Sequence, residues 1–199
     1  MPHTLILVRH GAHVDAEHGV QDGPLSARGK QQAELLARRL AGLKIDSMWH
    51  SPLQQTWDTA TILGKNLGVE SQPSALLLPC VPSGAEAGMP KAYEPFFGSV
   101  TDEEVDAGRA QMDDAITEFM ARGRAGKVDI LVTHNAVIAW FVRSVLGADE
   151  WKWVTLNQNH CGLTVLQQKS GRPWTLVSHN DVGHLSVDLR SGLPEPYSL

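Results

Sequence analysis

Two short apolar runs constrain this chain more than anything else in it. Thr4 to Arg9 (TLILVR) and Val128 to Thr133 (VDILVT) are rich in leucine and β-branched residues and show no sustained alternation of apolar and polar positions. A strand with one face in water alternates, so runs of this kind suit strands buried on both faces, as at the centre of a parallel sheet. Parallel neighbours need crossover connections, and the sequence supplies helical patterns for them. Ala33, Leu36, Ala37 and Leu40 fall at helical spacing, with Ser26 as candidate N-cap and Gly42 near the stop. Ile45 to His50 reads as a second strand, and Leu53 to Leu67 as a second helix with Pro52 in its first turn and Gly68 behind it. A third short strand is expected over Glu70 to Leu78.

From Pro79 to Ser99 the pattern lapses under repeated proline and glycine, which marks 79–100 as a variable loop or lid. Thr101 and Glu104 then form a capping box for a helix lined by Val105, Met112, Ile116 and Phe119. Gly123 and Gly126 lead into the second apolar run, an apolar helix follows over Ala136 to Val145, and Cys161–Gln168 and Trp174–His179 form a hairpin across Ser170 and Gly171. The expectation is one α/β domain over 1–199. It has three layers, a mostly parallel central sheet with helices on both faces, and an antiparallel hairpin at one edge.

At 199 residues the chain buries roughly 70% of its unfolded surface, so its core needs no disulfide or structural metal. Cys80 and Cys161 form no CxxC pair, which excludes a disulfide framework and a four-cysteine zinc site. The formal charge of −5, with no dense basic run, argues against nucleic-acid partners. The apolar stretch Leu5 to Val8 is too short for a secretory signal, and no run approaches the roughly 20 residues of a membrane span; a cytoplasmic location is expected. Nine histidines stand out, but no HxH or HExxH spacing groups them as metal ligands. The tryptophans are expected in the core; an exposed subset would mark the face of a homodimer.

Parallel sheets place ligands at the carboxyl ends of their strands, which selects Arg9–His10–Gly11 and His134–Asn135. A neutral imidazole is a nucleophile toward phosphorus, and Arg9 offers a planar fork of donors for phosphate oxygens. The helix after His134 adds backbone N–H groups and the positive end of its dipole.

The runs LVRHG (Leu7–Gly11), PLSARGKQQA (Pro24–Ala33), SPL with a following TA (Ser51–Ala60) and VTHNAVI (Val132–Ile138) resemble, in order and spacing, the histidine phosphatase or phosphoglycerate mutase-like superfamily. The region from Leu131 through Asn157 and the closing hairpin looks most like its mitochondrial Ser/Thr protein phosphatase branch. The resemblance implies that His10 takes a phosphoryl group as a phosphohistidine, which water then cleaves. Arg9 and His134 would clamp the phosphate oxygens, with Asn135 at the adjacent helix start; Gly11, His13 and Gln55 are further candidates to contact the substrate. No metal or cofactor is implied, and the partner is a small phosphorylated substrate or a phosphoprotein.

Two positions depart from the superfamily's pattern. Gln55 stands where an arginine is usual, and Pro79 and Cys80 stand where an acid, usually glutamate, protonates the leaving oxygen. General acid catalysis contributes about 10²–10⁴-fold and an oxyanion-type donor about 10²–10³-fold, so both losses together would leave a very slow enzyme. Glu86 ranks first as replacement acid because its loop should close over the pocket, ahead of Asp15, Asp22 and protonated His13. Two readings therefore stay open, a phosphomonoesterase of low activity and an impaired member that binds a phospho-ligand. A mutase, which needs cations for two phosphates, fits less well.

Overall fold

A computed structural model describes residues 1–15, 21–121 and 125–194; His18 and Gly123 lie outside them. Strands β1 (His3–Arg9), β2 (Ser47–His50), β3 (Ser71–Pro73), β4 (Val128–Thr133), β5 (Leu163–Gln168) and β6 (Thr175–Asp181) form one sheet in the order β3-β2-β4-β1-β5-β6. The first four run parallel, β5 pairs antiparallel with β1, and β6 pairs antiparallel with β5 at the edge. The helices are α1 (Ala27–Leu40), α2 (Gln54–Leu67), α3 (Glu94–Phe97), α4 (Asp102–Phe119) and α5 (Asn135–Leu146).

The absence of alternation in the two central runs has a direct cause. Ile6, Val8, Ile130 and Val132 pack with Leu36 and Leu40 of α1 and Leu63 of α2. Their neighbours Leu5, Leu7 and Leu131 pack with Met112 and Phe119 of α4 and Ile138 and Phe141 of α5. Each strand thus feeds two cores, and the expected three-layer architecture is observed. The caps are also as the residues dictate. The Ser26 hydroxyl accepts from the Gly29 N–H at 3.1 Å, Thr101 and Glu104 complete a capping box, and Gly68 takes the left-handed conformation that ends α2.

The structure corrects several boundaries. β3 is three residues long because Pro73 has no N–H to extend the ladder, and the chain turns at once into a 3₁₀ segment, Ala75–Leu77, that buries Leu77. Pro52 precedes α2 rather than starting it; Leu53 is the N-cap. The stretch 79–100 contains a 3₁₀ turn at Lys91–Tyr93 and α3. β5 begins at Leu163, since Cys161 has φ of 54° and cannot lie in a strand. No described helix is long and apolar enough to cross a membrane.

Candidate active site

The sheet order brings distant residues to one end. Arg9 pairs in register with Thr133, so β1 and β4 leave the sheet side by side and their next residues, His10 and His134, become neighbours. β2 delivers Ser51 to the same end. β5 runs the other way, so its start lies there too and brings His160. The ring of His10 lies 5.1 Å from that of His134, 5.4 Å from His160 and 5.5 Å from His13.

His10 is buried, and its Nδ1 lies 2.9 Å from the Gly11 carbonyl oxygen. A carbonyl can only accept, so Nδ1 carries the proton and Nε2 keeps its lone pair. Burial first, and then Arg9, His134 and His160, hold His10 well below the usual histidine range. Burial, then Arg9 and His13, pushes His134 down to about 3; burial, then Arg9, His13 and Arg28, holds His160 well below its usual range. Neutral imidazoles at pH 7 therefore surround one cation, Arg9, whose pKa is lowered by burial to about 10.

Arg9 is anchored by one nitrogen. Its Nη1 donates to the Gln158 carbonyl at 2.6 Å and the Gly192 carbonyl at 2.7 Å, which sets the plane of the guanidinium. Its Nε is buried with no acceptor among the described residues. An unpaired buried donor on a cation is costly, and an incoming anion is the group that would satisfy it.

Around these groups the framework is tight. A Cβ on Gly11 would sit 2.7 Å from the Gly29 carbonyl oxygen, and one on Gly29 only 1.9 Å from that of Ala12. The Gly11 N–H donates to the Thr59 hydroxyl at 3.0 Å. His134 is the N-cap residue of α5, and its Nε2 is 2.9 Å from Ser51 Oγ. His160 Nδ1 is 3.0 Å from Ser191 Oγ, which also accepts from Gln32 Nε2. Asn135 accepts from the Gln158 N–H at 2.7 Å, so it braces the loop whose carbonyl holds Arg9.

The two departures from the superfamily's pattern have structural counterparts. Gln55 is buried, with its Nε2 donating to the Gln21 carbonyl at 2.9 Å and its Oε1 accepting from the Gly23 N–H at 3.4 Å. Both ends of its amide are bonded to the backbone of Gln21 and Gly23, and the amide itself brings no positive charge. Glu86 is not brought to the histidines. Its loop packs on α4 through the Val81 backbone against Gly108, and Ser83 Oγ accepts from Trp153 Nε1 at 3.0 Å. Glu86 instead lines a separate cavity of about 510 Å³ with Arg109 and Glu150, where partial desolvation, and then Glu150, raise its pKa. Asp22 accepts from the Gln54 N–H at 2.7 Å at the start of α2, and Asp15 is exposed with φ of 57°. Among the described residues, no carboxylate is one of the groups that shift His10.

Ser51, His160, Ser191 and the carbonyls of Gln158 and Gly192 belong to the site although the sequence motifs did not assign them to it. An antiparallel β5 beside β1 was the available signal for His160, because such a strand starts where β1 ends.

Residues 5–78 and 84–182 match the family described as histidine phosphatase superfamily (branch 1). The chain is 27% identical over 191 residues to the mitochondrial serine/threonine-protein phosphatase Pgam5 of Caenorhabditis briggsae, covering 92% of this chain and 64% of that protein. It thus spans under two thirds of that relative. It is 26% identical over 209 residues to "Probable phosphoglycerate mutase GpmB" of Enterobacter sp. (strain 638), covering 91% of this chain and 94% of the relative. Bacillus stearothermophilus YhfR has the same fold, with a TM-score of 0.75 at 19% identity over 92% of this chain and 98% of its own. With the family's matched segments spanning both histidine-bearing strand ends, this chain belongs to the histidine phosphatase superfamily, branch 1.

Proposed function

We propose that the protein hydrolyses phosphate monoesters in two steps through a phosphohistidine at His10. The observation that carries this reading is the bond from His10 Nδ1 to the Gly11 carbonyl, which leaves an unprotonated Nε2 among three imidazoles and Arg9. In the first step Nε2 forms a bond to phosphorus as the ester oxygen leaves with the bonding pair. In the second a water oxygen attacks phosphorus, the N–P bond breaks, and inorganic phosphate departs. Arg9, the N-terminus of α5 and His134 supply donors to the equatorial oxygens, the arrangement expected of a preorganised oxyanion site. The native chain should release phosphate from 4-nitrophenyl phosphate, and His10→Ala should lose that release entirely. Equal, background-level release from both would overturn the reading.

Gln55 supports a second reading, an impaired member that binds a phosphorylated ligand. Its amide is occupied by backbone groups and supplies no cation. Calorimetry would then show phosphate binding with no turnover. Mutase chemistry has less support, because Arg9 is the one charged residue among those described as lining the adjoining cleft.

A further inference from the structure

A cleft of about 1140 Å³ opens beside Arg9, with walls of Tyr93, Phe96, Trp153, Val154, Leu193 and Pro194. Phe96 is 53% exposed, an unusual state for a ring whose face-to-edge partners Phe97 and Trp153 are buried. The rest of the described lining is amide, hydroxyl and backbone, from residues such as Asn157 and Thr155; Arg9 alone carries charge. A substrate with one phosphate finds a cation there, and a second anionic group finds none. A flat apolar body can stack against Phe96 and Tyr93.

Leaving-group chemistry points the same way. Among the described residues Glu86 lies in the separate cavity and no carboxylate acts on His10, so none of them is placed to protonate the departing oxygen. A phenol has a pKa near 10, whereas an aliphatic hydroxyl lies nearer the roughly 15.7 of water, so a phenolate leaves far more readily without an acid. The apolar cleft, with Arg9 the one charge on its described lining, thus selects one kind of ester, and the lack of a placed acid among the described residues agrees with it.

Building on the phosphatase reading, we propose that the substrates are phosphate monoesters of aromatic alcohols bearing no second anionic group near the phosphate, seated with the ring in the Tyr93–Phe96–Trp153 cleft.

The test pairs binding with turnover. On the His10→Asn chain, which cannot form the phosphohistidine, calorimetry should show 1-naphthyl phosphate binding at least tenfold tighter than phosphoserine. Phe96→Ala should narrow that ratio by about fivefold through weaker naphthyl phosphate binding, with inorganic phosphate unaffected. Leu193→Lys, which adds the missing cation at the cleft wall, should narrow it from the other side by strengthening phosphoserine binding. On the native chain, kcat/KM for 1-naphthyl phosphate should exceed that for phosphoserine by more than the binding ratio. Affinities within twofold of each other, or a ratio indifferent to Phe96→Ala, would overturn the assignment. If the binding order holds and no ester is hydrolysed, the hydrolytic reading fails while the ligand class stands.

Discussion

His10 owes its chemistry to one carbonyl. The Gly11 oxygen fixes the tautomer, burial keeps the ring uncharged, and Arg9 beside it makes protonation costlier still. Arg9 is held the same way, by the carbonyls of Gln158 and Gly192. Both residues were legible in the sequence because they sit together at the end of a strand whose burial is evident. Their restraints were not, since Gln158 and Gly192 lie far along the chain and carbonyls have no signature of their own. Gln55 is the residue where substitution should be most informative. Gln55→Arg restores a cation near the site while giving up two hydrogen bonds to the Gln21–Gly23 loop. The phosphatase rate should rise by about 10–100-fold while folding stability falls by about 1 kcal/mol, read by steady-state kinetics and urea denaturation on the same preparation. No gain in rate would show that charge at this position is not what limits the enzyme.

Among the elements, α1 matters most to the site, because it presses on the loop after β1 through a pair of glycines. A Cβ on Gly29 would meet the Ala12 carbonyl at 1.9 Å, and neither group is a flexible side-chain end that could move aside. In an unconstrained helix interior, alanine is more favourable than glycine by about 1 kcal/mol, so intrinsic propensity predicts stabilisation by Gly29→Ala. The contact predicts the opposite, a loss of about 3 kcal/mol or more in the urea-derived stability, together with displacement of Gly11 and loss of activity. The expected outcome is the loss. The sequence pattern placed α1 correctly by its apolar face and its Ser26 cap, yet it could not show this close approach, which depends on where the loop crosses the helix. The same limit explains β3. Its apolar composition extended the expected strand to Leu78, but Pro73 ends the ladder and Leu77 finds its core contacts from a 3₁₀ turn instead.

For the molecule as a whole, burying imidazoles has a consequence for stability. His10, His134 and His160 all have folded-state pKa values below the unfolded value of about 6.5, and the partly buried His179 and His184 are lowered too. Between those values the unfolded chain binds more protons than the folded one, so this contribution is fully present above about pH 6.5 and is lost as pH falls toward the folded values. Each such imidazole adds up to about 1.4 kcal/mol per pH unit to the slope. Urea midpoints should therefore drop steeply from pH 6.5 to pH 5, above the range where ordinary carboxylates titrate, and His134→Gln should flatten the slope by about one proton. A midpoint constant over that range would contradict the buried, neutral state of these rings. The amino-acid sequence by itself determined the layered α/β architecture, the helix caps and the two strand-end histidines, because periodicity, capping and strand burial are written in neighbouring residues. Only the tertiary structure decided that His160 joins them, that the Gly192 carbonyl holds Arg9, and that Glu86 is turned away toward Arg109 and Glu150. Those outcomes depend on strand order and on how loops cross helices, and such contacts join residues that no local pattern connects.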